Sequence, residues 1–299
     1  MTSLHPRLVL VTRHTEFDSL LAFHGTRGQV AFFLESRGQD IADLEDRHRQ
    51  QLTAVDAVKQ SLPETWSLAE VRRDDLDRFL FTPNDVIVAI GQDGLVANLA
   101  KYVSDQPILG VTPDPERFEG VLTSLPANSL SALLPDVAAG GIALERRAMV
   151  EARLGDGQVL RALNELFIGH RSHQSARYVL RYAGSEEFQS SSGVIVATGT
   201  GLTGWAKSIL TATHHQVAFA PTDKSAVYLA REPWPSRTSG CTLNVGELHG
   251  DASLTIGSRM NDGGVIFADG IEQDYLRFDW GLDVTISVSE RTLNLVRAT

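Results

Sequence analysis

The run Asp85-Val-Ile-Val-Ala-Ile90 is apolar beyond its first residue, ends at Gly91-Gln92-Asp93-Gly94, and is followed by Leu95, Leu99, Tyr102 and Val103 at helical spacing. A second short apolar run, Ile108 to Val111, comes next. A strand-length run without alternation marks a strand covered on both faces. Strand, helix, strand in this order implies a parallel βαβ unit, and that fixes the first part of the chain as α/β. Around it, Leu8 to Val11 reads as a buried strand. Thr15 to Asp18 has the spacing of a helix N-cap with its acidic partner. Ile41 to Leu62 keeps Leu44, Leu52, Val55 and Val58 on a polar background, a surface helix stopped before Pro63. A short helix is expected over Leu130 to Ala138, before Gly140-Gly141.

The texture then changes. Ala143–Leu154, Leu160–Ile168, Ala176–Tyr182, Val194–Thr198, Ala226–Arg231, Thr242–Val245, Ser253–Ile256, Val265–Ala268, Val284–Val288 and Leu293–Val296 read as strands separated by turn residues. Only Thr203–Leu210 interrupts them with a helical pattern. The second part is therefore expected to be an antiparallel β domain of sandwich type. The length of 299 residues suits two domains, expected as 1–125 and 126–299.

Net charge is −10, which argues against a nucleic-acid partner. No apolar run approaches the ~20 residues of a membrane-spanning helix. The start reads as no signal peptide, and the one cysteine, Cys241, excludes an internal disulfide framework and a cysteine-based zinc cluster. The expected compartment is cytoplasmic. The spacings His170/His173 and His214-His215 come without an acidic partner, so no metal-ligating residues are assigned.

Glycines between a buried strand and a helix N-terminus let backbone approach a phosphate, and Gly91-Gln92-Asp93-Gly94 has that setting. It is neither a Walker A loop nor a dinucleotide fingerprint. Its aspartate suits a general base or a magnesium ligand, and equally a tight turn that caps the next helix. Asn164-Glu165 falls inside an expected β segment, where such a pair is locally unfavourable. It suits ribose hydroxyls or a base edge, or a solvent face. Thr198-Gly-Thr-Gly-Leu-Thr-Gly-Trp205, with Ser208, offers hydroxyls and glycines at a helix start and a ring that can stack; an N-cap loop with a core tryptophan has the same letters. Asp269-Gly270 reads as a hairpin turn.

Taken together and in this order, these residues resemble the NAD kinase family. The motifs that carry the resemblance are Gly91-Gln92-Asp93-Gly94, the segment Gln106–Pro115 through Gly120–Leu122, Arg146/Arg147, Ala162-Leu-Asn-Glu165, Thr198–Trp205 with Ser208, and Asp269-Gly270. The resemblance implies an N-terminal Rossmann-like α/β domain that binds the phosphate donor and a C-terminal β-sandwich that binds the acceptor. It implies phosphoryl transfer from ATP, with Mg²⁺, to a ribose hydroxyl of NAD or an analogue. Asp93 would take the hydroxyl proton. Gly91, Gln92 and Gly94 would cradle donor phosphates. Asn164, Glu165, Thr200, Thr203, Trp205 and Ser208 would bind the acceptor. A homodimer or homotetramer is also implied.

The sequence departs from the family's pattern at particular positions. Gln92 stands for a glycine and Leu95 for the usual threonine. Ser192 stands where the family usually has an aspartate that helps hold the dinucleotide. Gly199, Leu202, Gly204 and Trp205 alter the hydroxyl-rich loop. These changes leave three readings open: NAD as acceptor, the same machinery with another acceptor (a nucleotide, nucleoside, sugar or lipid), or a nucleotide sensor without turnover.

Overall fold

The computed structural model describes residues 6–117 and 120–297 and divides into two compact units, 1–145 with 294–299, and 146–293. The first unit contains β1 (Arg7–Thr12), α1 (Glu16–His24), α2 (Arg27–Glu35), α3 (Ile41–Gln60), β2 (Ser67–Arg72), β3 (Asp85–Ile90), α4 (Asp93–Ala100), β4 (Pro107–Thr112), the two-residue β5 (Leu125–Pro126) and α5 (Leu130–Ala138). Its strands lie in the order β2-β1-β3-β4, and every pairing is parallel. Leu8 and Leu10 of β1, Val86, Val88 and Ile90 of β3, and Leu109 and Val111 of β4 pack with Ala54 and Val58 of α3 and Leu130, Leu134 and Val137 of α5. All six residues of β3 are buried, as its unbroken apolar run requires. Because α5 contributes three residues to this core, the unit runs on to Glu145.

The Thr15 N-cap forms a full capping box with Asp18. The stretch His24–Gly28 holds a C-cap at Gly25 with φ +82° and the first two residues of α2. Arg27 pairs with Glu45 at 2.6 Å on an exposed face and is committed there.

The second unit contains most of β6 (Leu144–Leu154), then β7 (Val159–Ala162), β8 (Glu165–His170), β9 (Ala176–Tyr182), β10 (Ser185–Ser191), β11 (Val194–Thr198), α6 (Trp205–Ala212), β12 (Ser225–Ala230), β13 (Val245–His249), β14 (Ser253–Ser258), β15 (Gly264–Ala268), β16 (Tyr275–Arg277) and β17 (Asp283–Val296). One sheet carries β10-β9-β14-β17, with β6 beside β17 and β7 beside β6. The other runs β13-β12-β11-β8-β15-β16, antiparallel throughout. Alternation decides which side chain goes where. Leu166 and Ile168 of β8 and Val194 and Val196 of β11 point into the core between the sheets, with Tyr178, Leu180 and Ile256. Phe167, Ile195 and Ala197 point the other way, where Ala206 and Leu210 of α6 cover them.

Four expected strands are corrected. Leu160–Ile168 is two strands, because the chain breaks at Leu163-Asn164, so Asn164 lies in a bend and Glu165 opens β8. Thr242–Leu243 are not in a strand, since the Glu187 carboxylate takes their backbone N–H groups in place of a ladder partner. Val284–Val288 and Leu293–Val296 belong to one continuous strand, β17.

Candidate functional site

In an open parallel sheet, ligands bind beyond the carboxyl ends of the strands, where the strand order reverses. In the order β2-β1-β3-β4 the chain reverses between β1 and β3. A crevice of about 310 Å³ lies at that place. Arg13 follows β1, Gly91 and Gln92 follow β3, Pro113 and Asp114 follow β4, and all five line it. The Gly91 N–H donates to the Val111 carbonyl at 3.0 Å, so the ends of β3 and β4 are held side by side.

Gln92, where a glycine was expected from the family pattern, uses its side chain. Its Oε1 accepts from an Arg13 guanidinium nitrogen at 2.9 Å, spanning the reversal point. Among the described residues Arg13 has no carboxylate within ion-pair distance, and it lines the crevice. Nothing in the sequence pattern singled out Arg13; its position after β1 becomes meaningful only when β1 and β3 are neighbours. Gly94 is exposed, and a Cβ there would meet open space.

Asp93 opens α4, and its carboxylate is heavily engaged. Oδ1 accepts the N–H groups of Leu122 and Thr123, both at 2.9 Å, and the Thr123 hydroxyl at 3.0 Å; Oδ2 accepts the Val121 N–H at 2.8 Å. One side chain therefore pins the loop that follows β4. Gly120 fits beneath it, since a Cβ there would stand 2.8 Å from Asp93 Oδ1.

In the second unit the Asn164-Glu165 break is held from both sides. Asp269, in the left-handed conformation at φ +50°, accepts the N–H groups of Leu163, Asn164 and Glu165 at 2.9, 2.7 and 3.2 Å. The Thr198 hydroxyl donates to the Leu163 carbonyl, and the Thr198 N–H donates to the Asn164 carbonyl. That same hydroxyl accepts the N–H groups of Thr200 and Gly201, which draws the hydroxyl-rich loop against the break. Gly201 is required there, because a Cβ would stand 2.2 Å from the Asn164 carbonyl oxygen. Buried Arg147 donates to the Thr200 hydroxyl at 3.3 Å. Asp269-Gly270, read as a plain hairpin turn, is thus the clamp on Asn164-Glu165.

Burial, with the charge of Asp269 nearby, pushes Glu165 up to about 7. Among the described residues its carboxylate accepts no hydrogen bond.

The structure brings Asn164, Glu165, Thr200 and Thr203 together and places Trp205 and Ser208 on α6. The Thr203 hydroxyl turns back to the Thr200 carbonyl at 2.9 Å. Trp205 and Ser208 line a different hollow of about 380 Å³ beside Arg231 and Asn244. The Trp205 ring is already engaged, stacked on Phe167 at 6.2 Å and with the Arg231 guanidinium 4.9 Å from its centroid.

No family model matches the chain. It is 31% identical over 137 residues to an NAD kinase of Caldanaerobacter subterraneus subsp. tengcongensis, covering 43% of this chain and 47% of that one. It is 31% identical over 133 residues to an NAD kinase of Burkholderia cenocepacia, covering 42% and 43%. The matched stretch thus spans about half the length of the curated relatives. In structure it is similar to yeast NADH kinase complexed with NADH, with a TM-score of 0.59 and 15% identity over 99% of this chain and 84% of that one. An NAD kinase of Archaeoglobus fulgidus in complex with ATP gives a TM-score of 0.58 and 19% identity, over 97% and 93%.

The fold is NAD kinase-like.

The NAD kinase-like fold extends through both units, the parallel α/β unit and the antiparallel sandwich. Among the described residues no helix is long and apolar enough to cross a membrane.

Proposed function

We propose that the chain is a phosphotransferase that moves the terminal phosphoryl group of ATP to a hydroxyl of a nucleotide. The ribose hydroxyl of NAD, giving NADP, is the acceptor read first. One observation carries the reading: an arginine without an ion-pair partner among the described residues and a glycine turn share a crevice at the reversal point of a parallel sheet. The NAD kinase relatives support the choice of reaction and of acceptor.

Phosphoryl transfer asks for positioning and charge stabilisation more than covalent chemistry. On this reading Arg13 and the backbone at Gly91, Gln92 and Gly94 hold donor phosphates. Magnesium, when bound, neutralises charge on the transferring group. Asn164 and Glu165 hold the acceptor's ribose with Thr200 and Thr203 beside it, and Trp205 and Ser208 meet the acceptor from their own hollow on α6. The acceptor oxygen attacks phosphorus, the bond to the leaving diphosphate breaks, and the hydroxyl proton passes to a carboxylate.

Asp93 is assigned that proton. Glu165 is a second reading, and one contrast favours it: Asp93 already accepts four hydrogen bonds, whereas the Glu165 carboxylate accepts none among the described residues. A proton acceptor near 7 also suits work at neutral pH. The protein is further read as a cytoplasmic homodimer or homotetramer, which light scattering of the purified chain tests.

The function is tested by a coupled assay with ATP, Mg²⁺ and NAD, with Asp93→Asn alongside. NADP formation by the wild type supports the reading. Absence of NADP, with ATP consumed in the presence of a mixed metabolite extract, replaces NAD with another acceptor. Nucleotide binding without any turnover makes the chain a sensor.

A further inference from the structure

Arg297 follows the last strand, β17, and is 176 positions from Val121 in the loop after β4. Strand pairing brings the two together. Asn294 and Leu295 of β17 run parallel to Pro107 and Ile108 of β4, and Asn294 Nδ2 donates to the Asp105 carbonyl at 2.9 Å. The ends of β17 and β4 therefore point the same way. Beyond them, Arg297 Nη1 donates to the Val121 carbonyl at 2.6 Å, and Arg297 Nε pairs with Glu145 at 3.1 Å. A planar guanidinium with two partners is held in one orientation.

Val121 is also the residue whose N–H donates to Asp93 Oδ2 at 2.8 Å. Its backbone is thus gripped on both sides, by the Asp93 carboxylate at the N–H and by Arg297 at the carbonyl. Burial does not hold it, because its side chain is exposed. The next residue is fixed differently: Leu122 is buried, and Gly110 leaves room for its carbonyl, which a Cβ there would strike.

The two Asp93 oxygens are not equivalent. Oδ1 accepts three hydrogen bonds, from the Leu122 and Thr123 N–H groups and the Thr123 hydroxyl. Oδ2 accepts one, from Val121. A carboxylate has about four acceptor positions over its two oxygens, so Oδ2 is the oxygen with capacity left.

We propose that Arg297 is a positioning residue for Asp93: through the Val121 backbone it fixes the direction in which Oδ2 faces. The role rests on the phosphotransferase reading with Asp93 as proton acceptor. In that step the acceptor's O–H bond breaks as its oxygen bonds to phosphorus, and the proton bonds to Oδ2.

Two measurements on the full chain test it. Amide hydrogen exchange followed by nuclear magnetic resonance reads the grip. Loss of a charged hydrogen bond in Arg297→Met is expected to speed exchange at Val121 about tenfold, with β1 and β3 unchanged. Initial rates with ATP, Mg²⁺ and NAD read the positioning. A displaced group costs up to about 10²-fold, and Arg297→Met leaves Asp93 its three other bonds, so kcat is expected to fall about tenfold with both KM values within about twofold. Arg297→Lys, which keeps one charged donor, should recover about half of the lost rate or more. Arg297→Met added to Asp93→Asn should lower the rate no further, because the two act through one contact. Glu145→Gln loosens the same guanidinium and should show both effects more weakly; it serves alone if thermal melting shows that Arg297→Met does not fold. Unchanged exchange at Val121, a full kcat despite faster exchange, or an additive loss in the double variant overturns the assignment. If the wild type turns over and is insensitive to Arg297, only the positioning role fails. If it turns over with no acceptor, the phosphotransferase reading fails and takes the role with it.

Discussion

The Asp269 carboxylate accepts the Asn164 backbone N–H at 2.7 Å, linking two residues 105 positions apart in the chain. Two more N–H groups, of Leu163 and Glu165, converge on the same carboxylate. The Asn164-Glu165 break keeps its shape because its donors are satisfied from one turn. Asp269→Ala leaves three donors without their acceptor, and each buried unsatisfied donor costs about 1–3 kcal/mol. A loss of at least about 2 kcal/mol in urea unfolding is expected. Asp269→Asn, which keeps one acceptor oxygen, should lose less. Equal stability of Asp269→Ala and the wild type would remove the clamp from this account.

Glu165 makes stability depend on pH. Its folded value of about 7 lies above its ordinary value, so the folded protein binds a proton more readily than the unfolded chain. Its contribution is fully present below about 4.5 and is lost as pH rises through about 7. Glu165→Gln, neutral at every pH, should be more stable than the wild type at pH 8, by on the order of 3 kcal/mol, and no more stable at pH 4. Urea midpoints at the two pH values measure the difference. A pH-independent difference would place the proton elsewhere.

The two candidate proton acceptors separate by kinetics. Loss of a general base typically lowers kcat by about 10²–10⁴-fold and removes the acidic limb of the pH profile. If Asp93 acts mainly by holding Val121–Thr123, Asp93→Asn retains an acceptor for part of that network and much of the rate. Asp93→Ala would then lose stability and rate together. Glu165→Gln should lose the acidic limb while folding normally. An intact limb in Glu165→Gln and a collapsed rate in Asp93→Asn would return the role to Asp93.

Arg13 and Gln92 are expected to act on the donor alone. Charge-assisted hydrogen bonds to phosphate are worth about 1.5–3 kcal/mol, so Arg13→Met should raise the donor KM by roughly 10–100-fold. The KM for the acceptor should not move. Gln92→Gly frees Arg13 from its 2.9 Å partner and should raise the donor KM by a smaller factor. Initial-rate measurements with each substrate varied in turn decide this. A change confined to the acceptor KM would contradict the donor assignment.

Local pattern was enough for much of the fold. The unbroken run Asp85–Ile90, the capping box at Thr15 and the alternation in β8 and β11 are short-range features, set by periodicity and by which backbone groups a neighbouring side chain can reach. Asn164 and Glu165 also stood out, because an Asn–Glu pair in a β region conflicts with local preference. Tertiary structure decided the rest. Whether Thr242–Leu243 become a strand depends on Glu187, which is 55 positions from Thr242. That Asp269 is a clamp, that Arg13 meets Gln92, and that Arg297 meets Val121 all depend on strand order and on side chains distant in sequence. A single sequence shows which groups the chain carries. Only the folded chain shows which of their hydrogen-bonding atoms are taken and which still face an open site.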